Sequence, residues 1–149
     1  MELYPDFKEL LVLFNAHHVE YMIVGGYALA LHGTPRSTGD IDIFVKPDVN
    51  NARCVMNALD EFGFGSVGLS SEDFLKQDTV IQLGVAPIRI DIMTSLTGVS
   101  WEDAVSGWQT GYYDDVPVHY IGRNQFIKNR KALGRKKDLA DLEALGEDD

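Results

Sequence analysis

The chain has 149 residues, 45% of them hydrophobic, and a formal net charge of −10. That length suits one domain with a real core, and the acidity excludes a protein whose whole surface binds nucleic acid. No run of 18 apolar residues occurs, which excludes a transmembrane helix, and the single cysteine, Cys54, excludes an internal disulfide.

The opening MELYPDFKEL carries acids and lacks a basic segment followed by an apolar one, so it does not read as a signal peptide, and a cytoplasmic location is expected. Phe7, Leu10, Leu11, Phe14 and Val19 fall near helical spacing. VEYMIV (19–24) predicts a strand, GYALALHG (26–33) a short helix ended by Gly33, TPRSTG (34–39) a loop, and DIDIFV (40–45) a second strand. The next helix is DVNNARCVMNALDEFGF, with Asp48 or Asn50 as its N-cap and Cys54 in its core. After a looser stretch over 65–79, VIQLGV (80–85) and IRIDIMT (88–94) form a hairpin or sequential strands. SWEDAVSGW is helical, and GYYDDVPVHYI (111–121) is a hairpin or strand turning at Asp114–Asp115. The tail forms one or two helices broken near Gly134. The pattern predicts one α+β domain over 1–149, an α/β sandwich with a mixed sheet flanked by helices and a basic helical tail at about 123–146.

Two strands carry acids where acids are disfavoured. In DIDIFV, alternation puts Asp40 and Asp42 on one face and Ile41 and Ile43 on the other. Aspartate is depleted in strands, and like charges on one face destabilise them. RIDIM repeats the anomaly, with Asp91 and Arg89 on one face and Ile90 and Ile92 on the other. If the two strands are neighbours, Asp40, Asp42 and Asp91 share a face, where they must raise one another's pKa or bind cations. Oxygen donors alone suit Mg2+ or Mn2+, and a pair of such ions is the recurring solution for phosphoryl or nucleotidyl displacement. The other reading leaves Asp91 as a strand-end residue paired with Arg89. Upstream, VGG (24–26) ends a strand and opens a helix, a place where backbone approaches a ligand and amides meet phosphate.

VGGYALALHGTPRSTGDIDIFV, with IRIDI as a separate strand, resembles the signature of the nucleotidyltransferase superfamily that includes DNA polymerase beta. GGYAL, HG, the R-S-T before DIDI and the GRKKDLADLEAL tail are most similar to the small prokaryotic branch of abortive-infection (AbiEii) toxin-like proteins. The resemblance implies a nucleotidyltransferase-like fold. It implies transfer of NMP from an NTP to a hydroxyl of RNA (a tRNA end), a protein or a small molecule, with Mg2+ or Mn2+ as cofactor. It also implies that Gly25 and Gly26 cradle the phosphates, that Asp40 and Asp42 hold both ions, and that Asp91 holds one and helps to activate the attacking hydroxyl. The alternative on the same fold is a non-catalytic nucleotide-binding or toxin–antitoxin partner module.

Arg36 stands just before DIDI, as a phosphate clamp or as a surface loop residue, and Thr38 as a phosphate contact or a turn residue. Residues 123–137 hold seven of the 13 Lys and Arg and no acid, leaving about −17 on the rest of the chain. That segment is either an anion site, with Lys137 at the start of KDLADLEAL as its foremost candidate, or a solvated helix face. His17 and His18 read as a helix end, and His32 as a structural hydrogen bond or a site residue. Trp101 and Trp108, seven apart, share a helical face as core or as a base-stacking platform. No second helical domain is visible to hold an acceptor, so a cognate partner protein or a homo-oligomer is expected to deliver it.

Overall fold

The computed structural model describes residues 3–33, 39–63, 68–85 and 88–146. Elements run α1 (Pro5–Ala16), β1 (Tyr21–Val24), α2 (Gly26–Leu31), β2 (Asp40–Val45), α3 (Val49–Phe62), β3 (Val80–Val85), β4 (Ile88–Met93), α4 (Trp101–Gly107), β5 (Gln109–Tyr113), β6 (Val116–Tyr120), α5 (Arg123–Leu133) and α6 (Lys136–Ala144). The looser stretch holds one 3-10 turn, Ser71–Phe74. The six strands form one mixed sheet in the order β3-β4-β2-β1-β6-β5. The nearby β3–β4 and β5–β6 hairpins pair antiparallel, while β2 and β4, separated by α3, pair parallel.

Strand alternation divides the sheet into two unlike faces. Ile41, Ile43 and Val45 are fully buried; Ile43 and Val45 lie opposite Ile23 and Tyr21 of β1, and Ile41 opposite Ile90 of β4. α1 covers this face, with Phe14 packed edge-on to Tyr21 at 5.4 Å, and α3 packs beside α1. The other face carries Asp40, Asp42 and Phe44, and Trp101 of α4 meets Phe44 at 5.1 Å. Helices on both faces of a mixed sheet make the α+β architecture expected from the sequence.

Caps and clamps fix the turns that aim the strands. Asp48 caps α3, its Oδ1 accepting from Asn51 N–H at 2.7 Å. Asn51, 2% exposed, takes a bond from Glu20 N–H at 2.7 Å and gives bonds to Glu20 O and Lys46 O at 2.9 Å each. One amide thus joins the entry of β1 to the exit of β2. α1 is fastened to the last hairpin: Lys8 Nζ lies 2.9 Å from Asp114 and 3.0 Å from Asp115, Tyr4 N–H donates to the Tyr113 hydroxyl, and Asn15 Nδ2 donates to Pro117 O.

Three sequence expectations shift. Trp108 does not share a helical face with Trp101, because α4 ends at Gly107 and Trp108 is its extended C-cap. The two indoles meet edge-on at 6.1 Å, and Trp108 stacks on His119 at 3.8 Å. Cys54 is half-buried against the core and not enclosed by it. The tail is two helices, with Gly134 in the left-handed conformation between them as expected, but the second begins at Lys136.

Replacing Asn51 with Ala leaves the part-buried Glu20 N–H and Lys46 O without their side-chain partner and Glu20 O with only Lys46 N–H, which should cost about 2–3 kcal/mol. Urea unfolding should show a lower midpoint with an unchanged m-value.

Candidate functional site

The register of the sheet decides which acids meet. β2 and β4 pair parallel with Asp42 opposite Asp91 and Asp40 opposite Arg89. All four side chains therefore project from the same face, and Val24, at the end of β1, lies opposite Asp42 on its other side. Asp91 is 7% exposed. Burial pushes the Asp42 carboxyl up to about 6, and the adjacent negative charge of Asp91 pushes it the same way, against the pull of Arg130. The pair is short of positive charge.

Arg89 answers part of that deficit. Its Nε donates to Asp91 Oδ1 at 3.1 Å and its Nη2 to Asp40 Oδ2 at 3.1 Å. Asp40 is thereby held toward the guanidinium, and among the described residues no group of three or more His, Cys, Asp or Glu side chains gathers at metal-ligating spacing. The three acids share a face as the sequence implied, but they divide into an Asp42–Asp91 pair and an Asp40 bridged to Asp91 through arginine. Sequence reading treated Arg89 only as a neighbour of Asp91; its place two residues before Asp91 on the same strand face was the available signal.

Gly25 explains the glycine pair. Its φ is +73°, and a Cβ added there would overlap Asp42 Oδ2 and Cγ. Only glycine allows both this backbone conformation and this approach to the carboxylate. Gly26 opens α2, which has 6 residues. Arg36 and Thr38 lie outside the described residues. His32, just past α2, donates through Nε2 to Ile121 O at 2.8 Å, a structural bond.

A cleft of about 320 Å3 opens over the acids. Gly25, Asp42 and Asp91 line its sheet side, and Asn129, Arg130, Arg135 and Lys137 its helical side. The basic segment thus borders the carboxylates. Neither tryptophan lines the cleft. Arg135 donates to Asp138 from Nε at 2.7 Å and Nη2 at 3.2 Å, and its backbone N–H donates to the same carboxylate. Asp138 is fully buried; burial alone would raise its carboxyl, but these bonds hold it below the ordinary value. The first-turn anion position of α6 is therefore already filled by its own aspartate. Asn129 Nδ2 donates to Thr97 O at 2.9 Å, tying α5 to the loop after β4. Asn129 and Arg130 escaped sequence reading because a lysine- and arginine-rich helix does not say which of its faces is inside.

No family model matches the sequence, and no curated protein sequence does. Solved structures are similar. A protein of Thermotoga maritima assigned to the nucleotidyltransferases superimposes with a TM-score of 0.64 at 14% identity, over 95% of this chain and 93% of that one. The lincomycin-bound lincosamide antibiotic adenylyltransferase LnuA gives 0.60 at 14% identity, over the whole of both chains. An antigenic nucleotidyltransferase-like protein of Paracoccidioides brasiliensis gives 0.55 at 16% identity, over 96% and 75%. The chain therefore has the nucleotidyltransferase-like fold.

Two measurements test this geometry. Gly25→Ala should destabilise the protein by roughly 2 kcal/mol or more, since the strained backbone and the overlap with Asp42 add. For the metal-free protein, the native state holds the Asp42 proton above the unfolded value of 3.8, up to about 6. The native state then binds more protons between these values, so stability should fall as pH rises from about 4 to 6, by about 1–3 kcal/mol. Asp42→Asn should flatten that segment of a stability-versus-pH curve recorded in chelator.

Proposed function

We propose that the protein is a divalent-metal-dependent nucleotidyltransferase that moves NMP from an NTP to a hydroxyl and releases pyrophosphate. The observation that carries this reading is the in-register Asp42–Asp91 pair beneath a cleft walled on its other side by cations. The nucleotidyltransferase-like fold supports it.

The donor set fits Mg2+ or Mn2+. It is all oxygen and partly buried, and burial together with the neighbouring Asp91 charge raises the Asp42 carboxyl. Asp42 and Asp91 would hold the metal, with Asp40 joining from its bond to Arg89. Bound metal supplies neutralisation of the charge that develops on the transferring phosphoryl group. The chain's own residues do the rest. Gly25 and Gly26 bring backbone to the phosphates. Lys137 and Arg135 face the triphosphate across the cleft, and Arg36 and Thr38, which precede β2 in the sequence, are assigned to it. The acceptor oxygen bonds to the α-phosphorus, the bond to the β-phosphate oxygen breaks, and pyrophosphate leaves with that electron pair. The Asp91 carboxylate takes the hydroxyl proton. Positioning and electrostatics account for the catalysis, with no covalent enzyme intermediate.

The acceptor is RNA, a protein or a small molecule, delivered by a partner protein or a second subunit. We also place the chain in the abortive-infection (AbiEii) toxin-like branch, with a toxin–antitoxin role and a cytoplasmic location. Among the described residues, no helix is long and apolar enough to cross a membrane. A binding-only nucleotide module on the same fold is the rival reading. Three charge-costly acids, Asp40, Asp42 and Asp91, on one face are unnecessary for binding alone, and that favours the enzyme.

Incubation with each α-labelled NTP, Mg2+ or Mn2+, and RNA, protein or small-molecule extract should label an acceptor, ATP being the first choice because LnuA is an adenylyltransferase. Asp42→Asn should lower transfer by orders of magnitude while keeping the fold. Full transfer by that variant would end the catalytic reading.

A further inference from the structure

α6 is seated in an unusual way. Its buried residues are Asp138, Asp141 and Leu142, so two of the three are acids. Burying carboxylates is costly unless cations meet them. Arg135 meets Asp138 from the start of the helix itself, with its side chain 51% exposed. From another element, Arg123 of α5 donates to Leu145 O at the end of α6 at 2.9 Å, and Arg130 of α5 reaches the buried acids themselves. Its Nη1 lies 3.5 Å from Asp138 Oδ1 and its Nε 3.4 Å from Asp141 Oδ2, with the side chain 13% exposed. Its guanidinium lies over the Phe126 ring at 4.7 Å, which fixes it from the α5 side. Arg130 also lines the carboxylate cleft, and its charge acts on Asp42 across it.

These contacts are not those of an optimised structural ion pair. Arg130 Nε is buried without a hydrogen-bond acceptor in good geometry, although Asp141 is near. A well-packed apolar residue would hold two helices together at less cost. What the arginine adds is direction. It binds acids one helical turn apart on α6, and so fixes the rotation of that helix about its axis. That rotation decides whether Arg135 and Lys137 face the cleft.

We propose that Arg130 is a positioning residue for nucleotide binding: through Asp138 and Asp141 it sets the rotation of α6 that presents Lys137 and Arg135 to the triphosphate. This rests on the nucleotidyltransferase reading of the cleft and assigns Arg130 a task within it. Arg130 acts through α6 and Lys137 contacts the ligand, so the two residues must be energetically coupled.

Calorimetric titration of Mg–ATP, GTP, CTP and UTP into wild type, Arg130→Met, Lys137→Met and the double variant tests the coupling. Lys137→Met alone should weaken affinity about tenfold. Arg130→Met should weaken it at least as much, and adding Lys137→Met to Arg130→Met should cost less than about twofold more. A merely structural arginine would lower the melting temperature while leaving the Lys137 effect unchanged. If Arg130→Met does not fold, Asp141→Asn weakens one of the two α6 partners of Arg130 without touching the cleft lining, and it should likewise diminish the effect of Lys137→Met. Unchanged affinity in Arg130→Met, or a Lys137→Met effect of the same size in both backgrounds, overturns the assignment while leaving the nucleotidyltransferase reading intact. A wild-type protein that binds none of the four nucleotides overturns both.

Discussion

Asp42 and Asp91 stand side by side because β2 and β4 pair in parallel at that register, and the rest of the site is organised around their charge. A slip of one residue in either strand would send one acid to the isoleucine face, into the core beneath α1. The fully buried Ile41, Ile43 and Ile92 forbid that slip. Apolar burial on one side of the sheet thus holds like charges together on the other. The repulsion is tempered by Arg89 at the rim and by Arg130 across the cleft. Gly25 permits the backbone to approach Asp42 where any side chain would collide.

Much of this was legible in the sequence because it depends on local periodicity. Two-residue alternation assigned Asp40, Asp42, Asp91 and Arg89 to faces of their own strands. Gly134 marked the break in the tail, and of Asp48 and Asn50, both offered as the start of α3, Asp48 is the cap. Which strands become neighbours is a tertiary fact: β2 and β4 are joined across α3 and β3, and no local pattern requires their pairing. For that reason the sequence gathered the acids on one face without showing that Asp40 would turn to Arg89. Helix ends were the other weakness. Trp108 lies at helical spacing from Trp101, yet α4 stops one residue short of it, and the indole finds a different partner in His119.

Charge is distributed with the same economy. The acidic body engages several of its lysines in surface ion pairs: Lys8 with Asp114 and Asp115, Lys46 with Glu20 and Asp48, Lys128 with Asp103. These pairs are largely exposed and each adds little stability. The buried or half-buried arginines are different. Arg89 bridges Asp91 of its own strand to Asp40 of β2, Arg130 joins α5 to α6, and their removal would leave carboxylates facing one another in a poorly solvated space. Solubility and site electrostatics are thereby assigned to separate sets of residues.

The fastening of α1 to the β5–β6 hairpin bears on synthesis. Lys8 and Tyr4 find their partners more than a hundred positions later, at Asp114 and Tyr113. On a ribosome moving at about 5–20 residues per second, the first helix waits roughly 5–20 s before the hairpin that completes its surroundings has been made. During that interval Phe7, Leu10, Leu11 and Phe14, all buried in the finished protein, have only part of their eventual cover. The nascent amino-terminal segment is therefore the stretch on which a holding chaperone would act, and the emergence of the hairpin is the event that would release it.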